Sequence, residues 1–213
     1  MDEATFAATA DELVRRDADL ARVVEEHGMP ELWLRPAGFP TLVLFILEQQ
    51  VSLASAAAAY RRVVRRTGHL TPATLLATSA AELRSDGVSR QKDRYLRALA
   101  TAVQSGAVDL PGLAELDDPT VRATLTTLPG IGRWTADVYL LACLGRPDVW
   151  PVGDRALQVA VAETLGMAAA PTRHELLDLG ERWRPYRSTA ARLLWHGYLA
   201  RRGRTEHPMA TPD

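Results

Sequence analysis

Nine consecutive residues, Leu128-Pro129-Gly130-Ile131-Gly132-Arg133-Trp134-Thr135-Ala136, carry residue types suited to holding a phosphate. Two glycines flank one apolar residue between two helical patterns. Without Cβ atoms, Gly130 and Gly132 would let backbone N–H groups approach a ligand closely at the start of the second helix. The partial positive charge there favours an anion whatever the base sequence. Ile131 would plug the gap between the helices. The same spacing also describes an ordinary tight helix–helix turn, and Leu128-Pro129 before it and Thr135-Ala136 after it favour the phosphate reading. Further on, Gly153-Asp154 opens another helical pattern, and on its own that pair is a helix N-cap.

The elements that must position these residues read as helices nearly throughout. Helical spacing of Leu13, Leu20, Val23 and Val24 predicts a helix over 11–26, ended by Gly28 and Pro30. A long helix is expected over 41–66, with a possible break near Ser52. Short helices follow over 73–77, capped by Thr71, and over 79–85; an amphipathic helix spans 89–104. The hairpin itself joins helices over 120–126 and 133–144. Helices over 154–165, 172–183 and 188–201 complete the pattern, and 203–213 reads as frayed. No segment alternates with period 2, so the class is all-α.

Composition excludes several chemistries. The chain has 213 residues, enough for one compact domain or two small lobes sharing a core. No apolar run approaches a membrane span, and no secretory signal is read at the N-terminus, which makes the cytoplasm the expected compartment. Cys143 is the only cysteine, which excludes an internal disulfide, a cysteine-based zinc site and a four-cysteine iron–sulfur cluster. The five histidines, at 27, 69, 174, 196 and 207, show no ligand spacing. Net charge is −1, but it is unevenly spread: residues 1–31 hold nine acids and three arginines, whereas 61–97 hold nine bases and three acids and 155–204 nine arginines and four acids. A near-neutral chain can therefore present basic faces. Lys92 is the only lysine.

The hairpin sequence, followed by Pro151-Val152-Gly153-Asp154, closely resembles the helix-hairpin-helix (HhH-GPD) DNA glycosylase superfamily, in particular its bacterial 3-methyladenine DNA glycosylase II branch. Ile46-Leu47-Glu48-Gln49-Gln50-Val51-Ser52 resembles the helix that carries that family's DNA wedge. Residues 83–99 and Trp183-Arg184-Pro185-Tyr186-Arg187-Ser188 resemble two further signatures, in the family's order. The resemblance implies a two-lobed helical fold with the active site in the cleft between lobes: residues 1–35 plus 146–213 as one lobe, and 36–145, with the hairpin at about 120–144, as the other.

The resemblance places the catalytic carboxylate on Asp154. Breaking an N-glycosidic bond builds positive charge on the sugar, and a carboxylate beneath it stabilises that charge and orients an attacking water. Trp134 and Trp195 are candidates for base-pocket indoles, the resemblance matching Trp195 to one that lines the pocket, with core packing the alternative for each; Trp33 either reaches the pocket or packs against a neighbouring helix. An electron-rich aromatic wall attracts an alkylated, cationic purine. The pocket tyrosine found one turn after Trp134 in the branch appears here as Val138. Gln50 takes the wedge position and Gln49 a neighbouring DNA contact. Gly130, Gly132, Arg133, Thr135, Arg187 and Ser188 fall on DNA-contacting positions, with Arg133, Arg187 and Ser188 readable either as phosphate or as structural contacts. Main-chain carbonyls of Thr126, Leu128 and Ile131 fall where family hairpins hold a sodium or potassium ion; no other cofactor is implied. Bifunctional members carry a lysine where this chain has Trp134, and arginine cannot replace it as a nucleophile. The implied activity is a monofunctional glycosylase on duplex DNA, acting as a monomer on alkylated purines. Two alternatives stay open: a non-catalytic hairpin DNA-binding protein, and a glycosylase for oxidised, deaminated or mismatched bases.

Overall fold

The computed structural model describes residues 1–204; the rest of the segment expected to fray lies outside the described residues. Twelve α-helices and two 3-10 segments, with no strand among the described residues, make the protein all-α. They form two compact units, residues 1–34 with 140–204 and residues 35–139.

The unit of residues 1–34 and 140–204 is built around its last described helix. Helix α1 spans Glu3–Arg16 and α2 Ala18–His27, so the helix expected over 11–26 is two. The break is at Asp17, which is extended and accepts hydrogen bonds from the N–H groups of Asp19 and Leu20. The Trp183 indole donates to its other oxygen at 2.7 Å, so a tertiary partner fixes this cap in place. Gly197 lies where a Cβ would come within 3.0 Å of Val23, which lets the C-terminal helix pack closely on α2.

In residues 35–139, α3 (Phe39–Glu48) is buried over its first nine residues except Pro40 and packs on α4 (Leu53–Thr67). The break expected near Ser52 therefore exists, and Ser52 caps α4 by accepting from Ser55 N–H. Helices α5 (Pro72–Ala77) and α6 (Ala80–Ser85) carry capping boxes, Thr71 with Thr74 and Ser79 with Glu82. They pack on α7 (Arg90–Gln104), which also lies against α3. A 3-10 segment, Pro111–Glu115, leads to α8 (Asp118–Thr126), capped by Asp117. Helix α9 (Arg133–Ala142) closes the hairpin, and the chain passes within it from this unit to the other.

There it continues through α10 (Arg155–Thr164), α11 (Arg173–Gly180), a 3-10 turn at Glu181–Trp183, and α12 (Arg187–Ala200). Helix α12 packs on α1, α2 and α10 and is buried without interruption from Arg187 to Leu194.

Candidate active site

In the unit of residues 1–34 and 140–204, the turn Trp150–Asp154 delivers one carboxylate. Trp150 is buried, donates to Leu176 O at 2.8 Å, and lies against Gly180, where a Cβ would meet its indole at 2.5 Å. Val152 N–H and Asp154 N–H donate back to Trp150 O and Pro151 O, which tightens the turn. Asp154 is the N-cap of α10: its Oδ1 accepts from Leu157 N–H at 2.7 Å. The same Oδ1 accepts from the indole Nε1 of Trp195, on α12, at 3.2 Å. Capping and a second, long-range donor thus fix one carboxylate oxygen at the positive end of a helix. The sequence placed Trp195 only beside a base; its bond to Asp154, forty-one residues away, carries no signal in spacing.

Trp33 lies against Trp195, ring centroids 6.0 Å apart and tilted by 46°. The guanidinium of Arg192 stands 4.8 Å from the Trp33 ring centroid. Arg192 is buried and donates to Ser188 O and Leu141 O. Burial pushes its pKa down to about 10, which leaves it charged near neutral pH. A largely apolar pocket of about 410 Å³ adjoins it, lined by His27, Trp33, Arg192, His196 and Leu199 among others.

In residues 35–139, the hairpin runs from α8 through Thr127–Gly132 into α9. Leu128 and Ile131 are buried, and Ile131 N–H donates to Leu128 O, as a plug between the helices requires. Arg122 of α8 donates to the buried Asp137 of α9 and clamps the two helices. Burial pushes the Asp137 pKa up, against the opposing pull of Arg122. The two glycines prove unequal. Gly130 has φ +87°, and a Cβ there would collide with the Tyr95 ring at 2.3 Å. Gly132 has ordinary φ and open space where its Cβ would stand. Only Gly132 therefore offers the bare backbone approach read from the sequence; Gly130 is needed for the turn itself. An open pocket of about 480 Å³ follows the hairpin, lined by residues 126–132 with Gln49, Gln50, Gln91 and Tyr95. Thr126, Leu128 and Ile131, the residues whose carbonyls were read as cation ligands, all border it.

Trp134 is half-buried on the first turn of α9, and Arg133 beside it is exposed. Three polar residues read as DNA contacts face inward instead. Thr135 is buried. Arg187 makes a two-toothed ion pair with Asp148 and also donates to Asp148 O. Ser188 is fully buried, donating to Arg146 O and accepting from Val149 N–H. Arg187 and Ser188 fasten the 146–149 loop to α12, the structural of their two readings. Val138 is buried, and the neighbouring Tyr139 turns its hydroxyl to accept from Gly38 N–H at 3.0 Å. Lys92 donates to Leu47 O at 2.7 Å, and burial lowers its pKa. Among the described residues, no group of His, Cys, Asp and Glu could hold a metal ion, and no helix is long and apolar enough to cross a membrane.

The family model "HhH-GPD superfamily base excision DNA repair protein" matches residues 43–185. The crystal structure of a DNA-3-methyladenine glycosidase from Bacillus halodurans superposes with a TM-score of 0.77 at 35% identity, covering 87% of each chain. That of the Schizosaccharomyces pombe 3-methyladenine DNA glycosylase in complex with abasic DNA gives 0.79 at 25% identity, over 88% of this chain and 95% of that one. DNA-3-methyladenine glycosylase 2 of Escherichia coli is 32% identical over 162 residues, 71% of this chain. The chain spans 54% of that protein's length and 64% of a Bacillus subtilis relative's, less than two thirds of either.

Proposed function

The chain belongs to the HhH-GPD superfamily of base excision DNA repair proteins, and we propose that it is a monofunctional DNA glycosylase for alkylated purines of the 3-methyladenine and 7-methylguanine class in duplex DNA. One observation carries the reading: a carboxylate, Asp154, fixed through one oxygen by two donors, with an indole pair beside it. A pure DNA-binding module gains nothing from a carboxylate facing a polyanion. The relatives named as 3-methyladenine glycosylases support the substrate class.

The chemistry follows from that carboxylate. The target C1′ is inaccessible inside a duplex, so the nucleotide is flipped out, with Gln50 filling the space it leaves. As the C1′–N bond breaks, its electron pair leaves with the base; a cationic alkylated purine departs as a neutral molecule and needs no proton. Positive charge grows on C1′ and the ring oxygen, where the Asp154 carboxylate stabilises it. Water attacks C1′, and its proton passes to Asp154 or to solvent, leaving an abasic site in an intact strand. Trp195 is a positioning residue for Asp154 through its N–H and, with Trp33, supplies aromatic wall for the base. Lyase chemistry needs an amine at the sugar. Position 134 is tryptophan, and the single lysine is engaged at Leu47 O.

Gly132 and Arg133 meet the DNA backbone. A monovalent cation held by the carbonyls of Thr126, Leu128 and Ile131 would add positive charge toward the same phosphate. The protein works as a monomer on double-stranded DNA. The test is a panel of duplexes, each with one lesion, followed by chromatography of the free base. Release of 3-methyladenine and 7-methylguanine with no strand break before alkali supports the proposal. Release from no substrate, or only from oxidised bases with strand cleavage, overturns it.

A further inference from the structure

The turn that carries the wedge position is anchored far more heavily than an exposed loop requires. Three consecutive residues ahead of it are each tied to a distant part of the same unit. Leu47 O accepts from Lys92 Nζ at 2.7 Å. Glu48 takes both terminal nitrogens of the buried Arg35, at 3.0 and 2.8 Å. The Gln49 carboxamide donates to Gly130 O, in the middle of the hairpin turn, at 2.7 Å. The next residue, Gln50, has φ +58°, the one positive φ of a non-glycine residue among the described residues. A side chain longer than Asn or Asp seldom adopts this conformation, and such a residue persists where its surroundings over-determine it. Gln50 is exposed, as are Val51 and Leu53 after it.

We propose that Gln49 is a positioning residue that couples the hairpin to the insertion turn. Resting on the proposed base flipping, this gives Gln49 a role other than a direct DNA contact. Its carboxamide holds the Gly130 carbonyl, two residues before the open backbone at Gly132 that meets phosphate, and its own main chain leads directly into Gln50. The hydrogen bond thereby fixes the distance between the phosphate grip and the wedge, so docking the hairpin presents Gln50 at one register of the duplex. Without the bond, the restraint nearest to Gln50 is gone and its positive φ is held less firmly. Phosphate contact then persists while insertion becomes less favourable by the worth of one hydrogen bond, about two- to tenfold.

The test reads insertion without chemistry. A duplex carries 2-aminopurine next to a tetrahydrofuran abasic analogue, and its fluorescence rises when the helix is opened and the neighbouring stack is broken. The wild-type protein should produce the rise. Gln49→Met, close in size but lacking the N–H donor, should make insertion about two- to tenfold less favourable, with affinity for an undamaged duplex by anisotropy, and melting temperature, nearly unchanged. Gln49→Glu, which keeps the length but offers no donor to a carbonyl, should lose insertion at least as strongly as Gln49→Met. A full rise with Gln49→Met overturns the proposal. So does a loss of insertion that tracks a fall in melting temperature or in affinity for the undamaged duplex, and so does a wild-type protein that gives no rise. Because no base is released from this duplex, failure here is separate from failure of the glycosylase assay.

Discussion

Replacing Trp195 separates two contributions that a single indole makes. Its N–H donates to Asp154 Oδ1 at 3.2 Å, and its ring stands 6.0 Å from Trp33. A hydrogen bond to a charged group is worth about 1.5–3 kcal/mol. This one is long, and Leu157 N–H still holds the same oxygen at 2.7 Å in its absence, so the lower figure applies. Trp195→Phe keeps an aromatic face but loses the donor. If the carboxylate's orientation matters only as charge develops on the sugar, the variant loses about tenfold in kcat/KM. That loss should be equal for cationic 7-methylguanine and neutral hypoxanthine, because Asp154 acts on the sugar and not on the base. Trp195→Ala removes the ring as well, which adds a cation–π loss of about 0.5–2 kcal/mol for the cationic lesion alone, or about 2- to 30-fold. The assay is single-turnover base release from matched duplexes, with melting temperature as control. Trp195 is half-buried, so Trp195→Phe should melt within about 5 °C of wild type. Wild-type rates for Trp195→Phe on both substrates would show the hydrogen bond to be idle. Equal losses on both substrates, accompanied by a large fall in melting temperature, would make Trp195 a core residue and nothing more.

Three further outcomes are expected. Borohydride should trap no covalent complex between the protein and lesion DNA, since water rather than an amine attacks C1′; efficient trapping after replacement of Lys92 and blockage of the N-terminal amine would refute this. Gly130→Ala should lower the melting temperature, because it places a Cβ 2.3 Å from the Tyr95 ring at a positive φ, whereas Gly132→Val should fold normally and weaken binding to damaged and undamaged duplexes alike, each phosphate contact contributing about 0.9 to the log–log salt slope. Arg187→Ala should cost about 1.5–3 kcal/mol of stability through its bonds to Asp148, read by denaturant titration, and leave that salt slope unchanged; a shallower slope would return Arg187 to the DNA contacts.

The parts of the site that were legible in the sequence are those where local spacing sets the geometry. The hairpin and the cap at Asp154 each depend on residues within a few positions, so their outlines could be read directly. The two helices around Ser52 were legible for the same reason. The break at Asp17 was not, because the apolar spacing continues through it and the cap is held by a distant donor, the Trp183 indole. Thr135, Arg187 and Ser188 are polar residues inside recognisable signatures, and it was the resemblance that pointed them toward DNA, with a structural role left open for Arg187 and Ser188. What turns them inward is tertiary: the Asp148 ion pair and the loop carbonyls and amides that take the Ser188 hydroxyl. The unequal glycines were hidden likewise, since the ring that crowds Gly130 belongs to Tyr95 on another helix. Trp33 gained weight from a contact with Trp195 that no sequence interval encodes.

The central claim is that Asp154 drives glycosidic bond cleavage, and the comparison of wild type with Asp154→Asn under single-turnover conditions tests it most directly. Asparagine keeps the shape and the capping oxygen for Leu157 N–H but removes the negative charge that opposes the developing cation. On a duplex bearing one 7-methylguanine, wild type should release the free base, and the variant should release it about 10²–10³-fold more slowly while binding the duplex at least as tightly. Base release by Asp154→Asn at the wild-type rate would contradict the account.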